Sequence, residues 1–264
     1  MAGRTLEAWL DLLQAQGRYT FTSAEATAKS GLTAESIRKA LRRLSQQARI
    51  FRLKEYFFSI VPPEYRTAGA PPPTWFIRDL MAAMRQPYYV ALLSAAALHG
   101  ASHHQPQIFQ VMTDSPTRAI RVGRTQLHFY TTQYMAAAAT VEMKTPTGAV
   151  RVSTPETTAV DLVRFAKSAG HLDHVAAVIK ELAPQMDARR LLAAVRSVGD
   201  VPNAQRLGYV LECARNKPLA TPIHDWLATR VERWQLLRPG RAVADASRNQ
   251  RWRLLINGPL EITA

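Results

Sequence analysis

The sequence predicts an α+β protein with a small N-terminal domain and a larger mixed α/β C-terminal domain. Its 264 residues are 47% hydrophobic, which is enough to bury a core and excludes a disordered basic tail. Five of the thirteen residues from Val61 to Pro73 are proline, a composition that favours an extended linker. Three helical patterns and a hairpin precede this segment, whereas helical and strand patterns are mixed after it. We therefore predict domains over residues 1–61 and 75–264, joined by a linker over 62–74.

Helical patterns occupy most of the first domain. The apolar residues of the first helix are Leu6, Trp9, Leu10, Leu12 and Leu13. Thr22 and Glu25 have the spacing of a capping box, which opens a short second helix that ends at Gly31. Thr33 then has the position of an N-cap for a third helix. The apolar face of this third helix consists of Ile37, Ala40, Leu41 and Leu44.

A β-hairpin is predicted after the third helix. Its strands run from Ile50 to Leu53 and from Tyr56 to Ile60, with Lys54 and Glu55 as the turn. This turn lacks the glycine or asparagine that two-residue hairpins favour, which predicts a short or irregular wing. Because the three helices and the hairpin follow the order of a winged helix-turn-helix, the sequence predicts a DNA-binding domain.

The positive charge of the chain is concentrated on the third helix and the hairpin. The 34 Lys+Arg and 20 Asp+Glu residues give a net charge of +14. Residues 29–54 contain eight basic residues and one acid, so they hold half of this excess. Arginine and alanine enrichment also follows from GC-rich coding, so only the location of the charge favours DNA. A major groove about 12 Å wide admits one helix, and we expect the polar face of the third helix to enter it.

Nine residues are candidates for DNA contacts. Thr33 and Ser36 lie at the start of the third helix, where backbone amides favour a phosphate. Arg38, Lys39 and Arg42 are the candidates for base edges, because they lie on the polar face of that helix. The candidates for the DNA backbone are Arg43, Arg49, Arg52 and Lys54.

The second domain is predicted to combine a small sheet with a helical half. Helices are expected over residues 75–85 and 88–100, and strands over 107–113, 126–132, 141–145 and 149–153. Thr154 as N-cap and Pro155 at the first helical position start the helical half. Its helices are expected over residues 157–166, 172–182, 188–198, 204–214 and 222–231, and a last strand over 252–257.

No catalytic residue or metal site is predicted in this domain. It lacks a phosphate-binding loop, a nucleophile elbow and a dinucleotide fingerprint. His99, His103 and His104 cluster after a helix, and His171 and His174 are three residues apart. Neither group has an obvious further ligand nearby, as a metal site requires, and no cofactor is expected.

One alternative chemistry is that of a metal-dependent nuclease. Asp114 followed by Glu142 and Lys144 has the arrangement in which two acids hold Mg²⁺ and a lysine stabilises negative charge. Such spacing is common by chance in a basic protein, so this remains the lesser alternative.

A second group of arginines lies near the C-terminus. Its members are Arg230, Arg233, Arg238, Arg241, Arg248, Arg251 and Arg253, with Glu232 and Asp245 as nearby acids. This group is either a solvated surface or a second contact with a polyanion.

The composition also indicates the compartment. The single cysteine, Cys213, excludes a disulfide framework and a cysteine-based zinc site. Glu7 and Asp11 interrupt the apolar stretch that a signal peptide needs. The longest apolar run, from Tyr88 to Leu98, is too short to span a bilayer. We therefore expect a cytoplasmic protein with no membrane contact.

Three motifs resemble the AbiEi family of abortive-infection antitoxins. The first is Tyr88-Tyr-Val-Ala-Leu-Leu-Ser-Ala-Ala-Ala-Leu-His-Gly100, which follows the predicted winged helix. The second, Ser153-Thr-Pro-Glu-Thr-Thr-Ala-Val-Asp-Leu-Val163, is similar to the family's Ser-Pro-Glu-Arg-x-Leu-Leu-Asp-Leu stretch but has Thr157 after Glu156. The third is the ending Arg251-Trp-Arg-Leu-Leu-Ile-Asn257.

This resemblance implies an antitoxin of a type IV toxin–antitoxin system. The functional partner would be a nucleotidyltransferase-like toxin, and no stable complex with it would be required. The winged helix would bind inverted repeats in the promoter and repress its own operon, with possible cooperative assembly of two copies on the DNA. The C-terminal domain would counteract the toxin. The main alternative is a winged-helix regulator of an unrelated operon, with the large domain as a ligand sensor.

Overall fold

A computed structural model describes residues 5–101, 107–244 and 246–262. The helices α1 to α10 span Leu6–Ala15, Ser23–Ser30, Ala34–Gln46, Ile77–Ala83, Leu92–Leu98, Pro155–Arg164, His171–Leu182, Ala188–Val198, Val201–Cys213 and Lys217–Leu227. The strands β1 to β12 span Thr20–Thr22, Ile50–Lys54, Phe57–Ile60, Tyr88–Val90, Ile108–Thr113, Ile120–Val122, Thr125–Thr131, Thr140–Thr145, Gly148–Ser153, Gln235–Leu236, Ser247–Asn249 and Leu254–Ile256. The predicted α+β class is confirmed.

The described residues form two compact units. The first unit contains residues within 1–88, 107–131 and 142–151, and the second contains residues within 89–101, 132–141 and 152–262. These units do not follow the boundaries that we predicted at residues 61 and 74, and those boundaries stay a prediction. The reason for the difference is long-range packing, which a composition change along the chain does not report.

The proline-rich segment is packed within the first unit. Ala70 and Pro71 are buried, and short 3₁₀ turns form at Pro63–Tyr65 and Pro73–Trp75. The Trp75 ring lies 4.9 Å from that of Tyr19 and 5.2 Å from that of Tyr65, centroid to centroid. The segment is therefore a structured part of the unit, held by aromatic contacts, and it differs from the extended linker that we expected.

Helices α1 to α3 and strands β1 to β3 have the arrangement of a winged helix. The three strands form an antiparallel sheet in the order β1-β3-β2. Strand β1 was absent from our sequence prediction because its three residues are too short to show a period. Phe21 of β1 is fully buried, and its ring lies 5.5 Å from the rings of both Trp9 and Phe58. This aromatic cluster ties α1 to the sheet.

The predicted helix over residues 88–100 is wrong in its first part. Tyr88–Val90 forms the strand β4, and Val90 pairs in parallel with Val152 of β9. Helix α5 begins only at Leu92, whose φ of +53° marks the break in direction. Aromatic and β-branched residues favour a buried strand, and a short apolar run cannot be distinguished from a helix by its period.

The remaining strands of the first unit include one that we did not predict. Strand β7 pairs in parallel with β5 and antiparallel with β6, which is the unpredicted strand. The predicted hairpin at residues 141–153 is present as β8 and β9. The helix predicted over residues 75–85 is shorter in the structure. A 3₁₀ turn ends at Trp75, and α4 follows it over Ile77–Ala83.

Helices dominate the second unit, and a small sheet in the order β10-β12-β11 accompanies them. Helix α10 begins at Lys217, five residues earlier than predicted, with Pro222 inside it. Burial of Leu219 and Ala220 favours the helix despite the donor that proline removes. No helix in the part of the chain that the structure describes is both long and apolar enough to cross a membrane.

Gly208 lies where the last tryptophan packs on α9. A Cβ placed on Gly208 would come within 2.0 Å of Cζ3 of Trp252, whose side chain is 1% exposed. The Trp252 carbonyl also accepts a hydrogen bond from Nε2 of Gln205 at 2.9 Å, and Nε1 of Trp252 donates to Glu212. The indole is therefore held against one face of α9, and glycine leaves the room that it needs.

We expect Gly208→Ala to lower the free energy of unfolding by about 1–3 kcal/mol, the usual range for overpacking. This sign opposes the gain of about 1 kcal/mol that alanine normally brings inside a helix. Urea unfolding measures the change. In the Trp252→Leu background Gly208→Ala should lower the free energy of unfolding by less than it does in the natural protein, because the ring is gone. If the effects of the two substitutions simply add, the clash between the Cβ and the ring is contradicted.

Candidate nucleic-acid interface

Helix α3 places its basic residues on one side of the winged helix. Thr33 caps it, since its Oγ1 accepts the Ser36 amide at 3.3 Å and bonds to the Ser36 hydroxyl at 3.0 Å. Three apolar residues of α3 are buried, namely Ile37, Leu41 and Leu44. Their burial fixes the rotation of the helix, because residues three and four apart share one face. The basic side chains are therefore turned outward.

Arg38 and Arg42 are the free cations of this face. Both are exposed, and they lie one helical turn apart. In the part of the chain that the structure describes, neither guanidinium has an ion-pair or hydrogen-bond partner. Lys39 forms an ion pair of 2.8 Å with Glu35, but both side chains are more than two-thirds exposed. Such a pair contributes little and can be exchanged for a phosphate.

Arg43 and Arg49 are held by acids of helix α1. Nη2 of Arg43 lies 2.8 Å from Oε1 of Glu7. The two terminal nitrogens of Arg49 lie 3.3 Å from Glu7 and 2.9 Å from Asp11. Two of our candidates for the DNA backbone are therefore engaged within the protein, where they join α1 to α3 and β2. No local sequence pattern indicates this pairing.

The wing presents its remaining candidates to solvent. Arg52 and Lys54 are exposed on β2, and the pairing register with β3 shifts between these two residues. The turn lies at Glu55 and Tyr56, one residue later than predicted, and Tyr56 is 65% exposed. The irregular wing that the turn composition predicted is therefore present.

Two of the alternative nuclease residues are engaged with other side chains. Glu142 is paired with Arg151 at 3.3 Å, and Asp114 accepts a hydrogen bond of 2.8 Å from Ser115. Among residues 5–101, 107–244 and 246–262, no group of three His, Cys, Asp or Glu side chains could hold a metal ion. The nuclease stays the lesser alternative.

One described histidine of each group makes a contact within the protein. His99 lies with Nε2 2.7 Å from the Ser153 carbonyl oxygen, so it contributes to packing in the second unit. His103 and His104 lie outside the described residues. His174 packs beside Gly170.

The C-terminal arginine group is divided by the structure. Arg238 is buried and pairs with Asp173, with Nη1 of Arg238 2.8 Å from Oδ2 of the carboxylate. Arg251 pairs with Glu212 at 3.5 Å. Arg230 and Arg253 donate to backbone carbonyls, and Arg230 and Arg248 lie over tryptophan rings. Arg233 and Arg241 are exposed, so the group is not one uniform surface.

A buried polar network occupies the centre of the second unit. Asp161 of α6 accepts a hydrogen bond of 2.9 Å from the Tyr89 hydroxyl, and it forms an ion pair of 3.0 Å with Arg164. Burial raises the pKa of Asp161 to about 6, although Arg164 and Tyr89 both act to lower it. Ser153 bonds to Thr158 at 2.7 Å in the same region. These residues belong to the motifs that carry the family resemblance.

Glu156 forms a second part of this network. Its Oε1 accepts the Asp187 amide at 3.0 Å and lies 3.2 Å from Nε of Arg190, while its own side chain is 2% exposed. It thereby joins the start of α6 to the start of α8. The Pro-Glu pair of the motif is explained by this packing role.

The pKa of Asp161 predicts a pH dependence of stability. A folded-state pKa above the unfolded value near 3.9 means that the folded protein binds the proton more tightly. Stability should therefore fall as pH rises from about 4 to about 6, by about 3 kcal/mol relative to Asp161→Asn. Urea unfolding of both proteins between pH 4 and 8 measures this difference. Asp114→Asn, which removes an exposed carboxylate, is the control; a flat difference for Asp161→Asn would contradict the raised pKa.

A comparison with solved structures agrees with this architecture. The chain superposes on the crystal structure of the RV2827C protein from Mycobacterium tuberculosis with a TM-score of 0.68, over 94% of this chain and 89% of that chain. The sequence identity is 15%, so this likeness shows the fold alone. No curated protein sequence matches the chain.

The family comparison covers most of the second unit and two segments of the first. Residues 89–213 match the family model of the AbiEi antitoxin C-terminal domain. The match includes the buried network around Asp161 and Glu156, and the family is one of antitoxins rather than enzymes. It thus confirms the resemblance carried by the motifs at residues 88–100 and 153–163, and residues 89–213 are similar to the C-terminal domain of AbiEi antitoxins.

Proposed function

We propose that this antitoxin represses its own operon by binding promoter inverted repeats through the winged helix. The observation that supports this most is the outward face of α3, where Arg38 and Arg42 are exposed without an ion-pair partner in the described residues. Free guanidinium groups one turn apart on a helix suit bidentate contacts with base edges in the major groove.

The wing and the helix start supply the proposed phosphate contacts. Arg52 and Lys54 are exposed on β2, and Thr33 and Ser36 lie at the N-terminus of α3. Phosphate contacts position a protein on DNA without selecting a sequence. Arg43 and Arg49 contribute to DNA binding only if they leave Glu7 and Asp11, so we assign them a lesser role.

The C-terminal domain is proposed to counteract a nucleotidyltransferase-like toxin in the cytoplasm, without a stable complex. The support is the family match over residues 89–213, since an antitoxin requires a toxin as its functional partner. Two copies of the chain on the two repeats would satisfy the symmetry of an inverted repeat, with cooperative assembly on the DNA.

We expect the double variant Arg38→Ala/Arg42→Ala to weaken binding to the promoter by at least about thirty-fold. Each bidentate base contact contributes roughly 1–3 kcal/mol, and 1.4 kcal/mol is a tenfold change in Kd. Fluorescence anisotropy with duplex DNA from upstream of the gene measures the Kd at a fixed salt concentration.

Arg189→Ala/Arg196→Ala is the matched control for this experiment. It removes the same charge from an exposed face of α8 in the second unit. If both double variants weaken binding equally, net charge rather than the α3 face is responsible. Unchanged affinity of the Arg38/Arg42 variant would show that α3 is not the recognition helix.

A growth assay tests the division of labour between the two activities. Co-expression with the adjacent toxin gene should show full rescue by Arg38→Ala/Arg42→Ala, because the family domain that carries antitoxicity is unchanged. A promoter–reporter fusion in the same cells should show loss of repression. Loss of rescue at equal protein levels would place antitoxicity in the winged helix instead.

A further inference from the structure

A groove of about 670 Å³ opens within the second unit. It is bordered by the end of α6, the start of α7, one face of α9 and the segment after β10. Its titratable lining residues are Arg164, Lys167, His171, Arg206, Arg238 and Arg241. Among the residues that the structure describes, no aspartate or glutamate lines it. A volume of this size is typical of sites for small ligands.

The cations of this groove are only partly neutralised. Arg164 pairs with Asp161 at 3.0 Å, and Arg238 pairs with Asp173. Lys167, Arg206 and Arg241 have no ion-pair partner within 4.0 Å in the described part of the chain. Three positive charges therefore face one concave surface, and its described lining residues include no carboxylate.

Arg206 is the most informative of these residues. Its Nε donates to the Leu236 carbonyl at 3.0 Å, and its Nη1 donates to Oδ1 of Asn203 at 2.8 Å. Burial lowers the pKa of its guanidinium, with the more distant Asp200 acting in the opposite sense. The side chain is thus held in place by neutral acceptors, and Nη2 has no partner among the described residues. A partly buried charge is stabilised when an anion approaches it.

Lys167 and Arg241 lie at the exposed border of the groove, and Phe165 and Pro239 line it as apolar surface. An arginine fork donates to phosphate oxygens in pairs, and a diphosphate offers more acceptor oxygens and more negative charge to several cations than a single carboxylate does. An apolar wall beside the cations accommodates an organic group attached to the anion.

We propose that this groove binds a small anion of the diphosphate class, with Arg206, Lys167 and Arg241 as its cationic contacts. The two sources of that chemistry are inorganic diphosphate and an organic diphosphate ester. The site is separate from the α3 face, so it is independent of the proposed DNA binding.

Isothermal titration calorimetry of the full-length protein with inorganic pyrophosphate and with uridine 5′-diphosphate tests the proposal at about 0.15 M salt. Saturable binding of either probe supports it. Tighter binding of uridine 5′-diphosphate than of pyrophosphate assigns the organic ester as the source, and the reverse order assigns the inorganic ion. Absence of binding by both probes at millimolar concentration overturns the proposal.

Variants locate the site. Lys167→Ala/Arg241→Ala changes two exposed residues and should raise the Kd of the bound probe by about tenfold or more. Lys180→Ala/Arg189→Ala, which removes a lysine and an arginine from exposed positions outside the groove, should leave it unchanged. Arg206→Gln is a further variant, and its thermal unfolding shows whether it folds.

Two outcomes separate this groove from general affinity for polyanions. Arg38→Ala/Arg42→Ala should bind the probes as the natural protein does, because those residues lie on α3. The groove would be overturned as the site if Lys167→Ala/Arg241→Ala and its control weaken probe binding equally. It would also be overturned if only Arg38→Ala/Arg42→Ala weakens probe binding. The groove would instead be a nucleic-acid surface if duplex DNA displaces the bound probe and if Lys167→Ala/Arg241→Ala weakens DNA binding as much as probe binding.

Discussion

The second unit depends on the complete burial of helix α6. Every residue from Glu156 to Val163 is buried, so the polar side chains of this helix have no access to water. Burying a polar group without a hydrogen bond costs several kcal/mol in an apolar medium, which makes each partner obligatory. Asp161 is satisfied by Tyr89 and Arg164, and Glu156 by Arg190 and the Asp187 amide.

This requirement explains why the family motif contains polar residues in a buried helix. Thr158 bonds back to the Thr154 carbonyl at 2.8 Å and to Ser153, so the start of α6 is joined to the end of β9. The partners come from β4, α6 and α8, and the network therefore links strands and helices of the unit. Its residues therefore serve packing.

Arginine serves opposite purposes in different parts of this chain. On α3 its guanidinium groups are kept outward by the buried residues Leu41 and Leu44. In the second unit Arg164 and Arg238 are turned inward to meet carboxylates. Arg206 is intermediate, since it is held by neutral acceptors beside a groove. Net charge by itself does not separate these roles, because the same side chain can stabilise the fold or remain available for a ligand.

Much of the local structure could be predicted. The capping box at Thr22 and Glu25, the N-cap at Thr154 and the amphipathic α3 depend on residues within four positions of one another, and all three are present. Strand β1 and the split at Leu92 could not be predicted, because a three-residue strand has no measurable period and because pairing with distant strands decides its formation.

The sequence by itself determined that the N-terminal region forms a basic winged helix and that the motifs at residues 88–100 and 153–163 belong to an antitoxin domain. Only the tertiary structure decided which cations remain available. Glu7 meets Arg43 across 36 residues, and Asp173 meets Arg238 across 65. The physical reason is that a charge is neutralised by whatever lies within a few ångströms in space, and chain folding alone brings such distant carboxylates and guanidinium groups together.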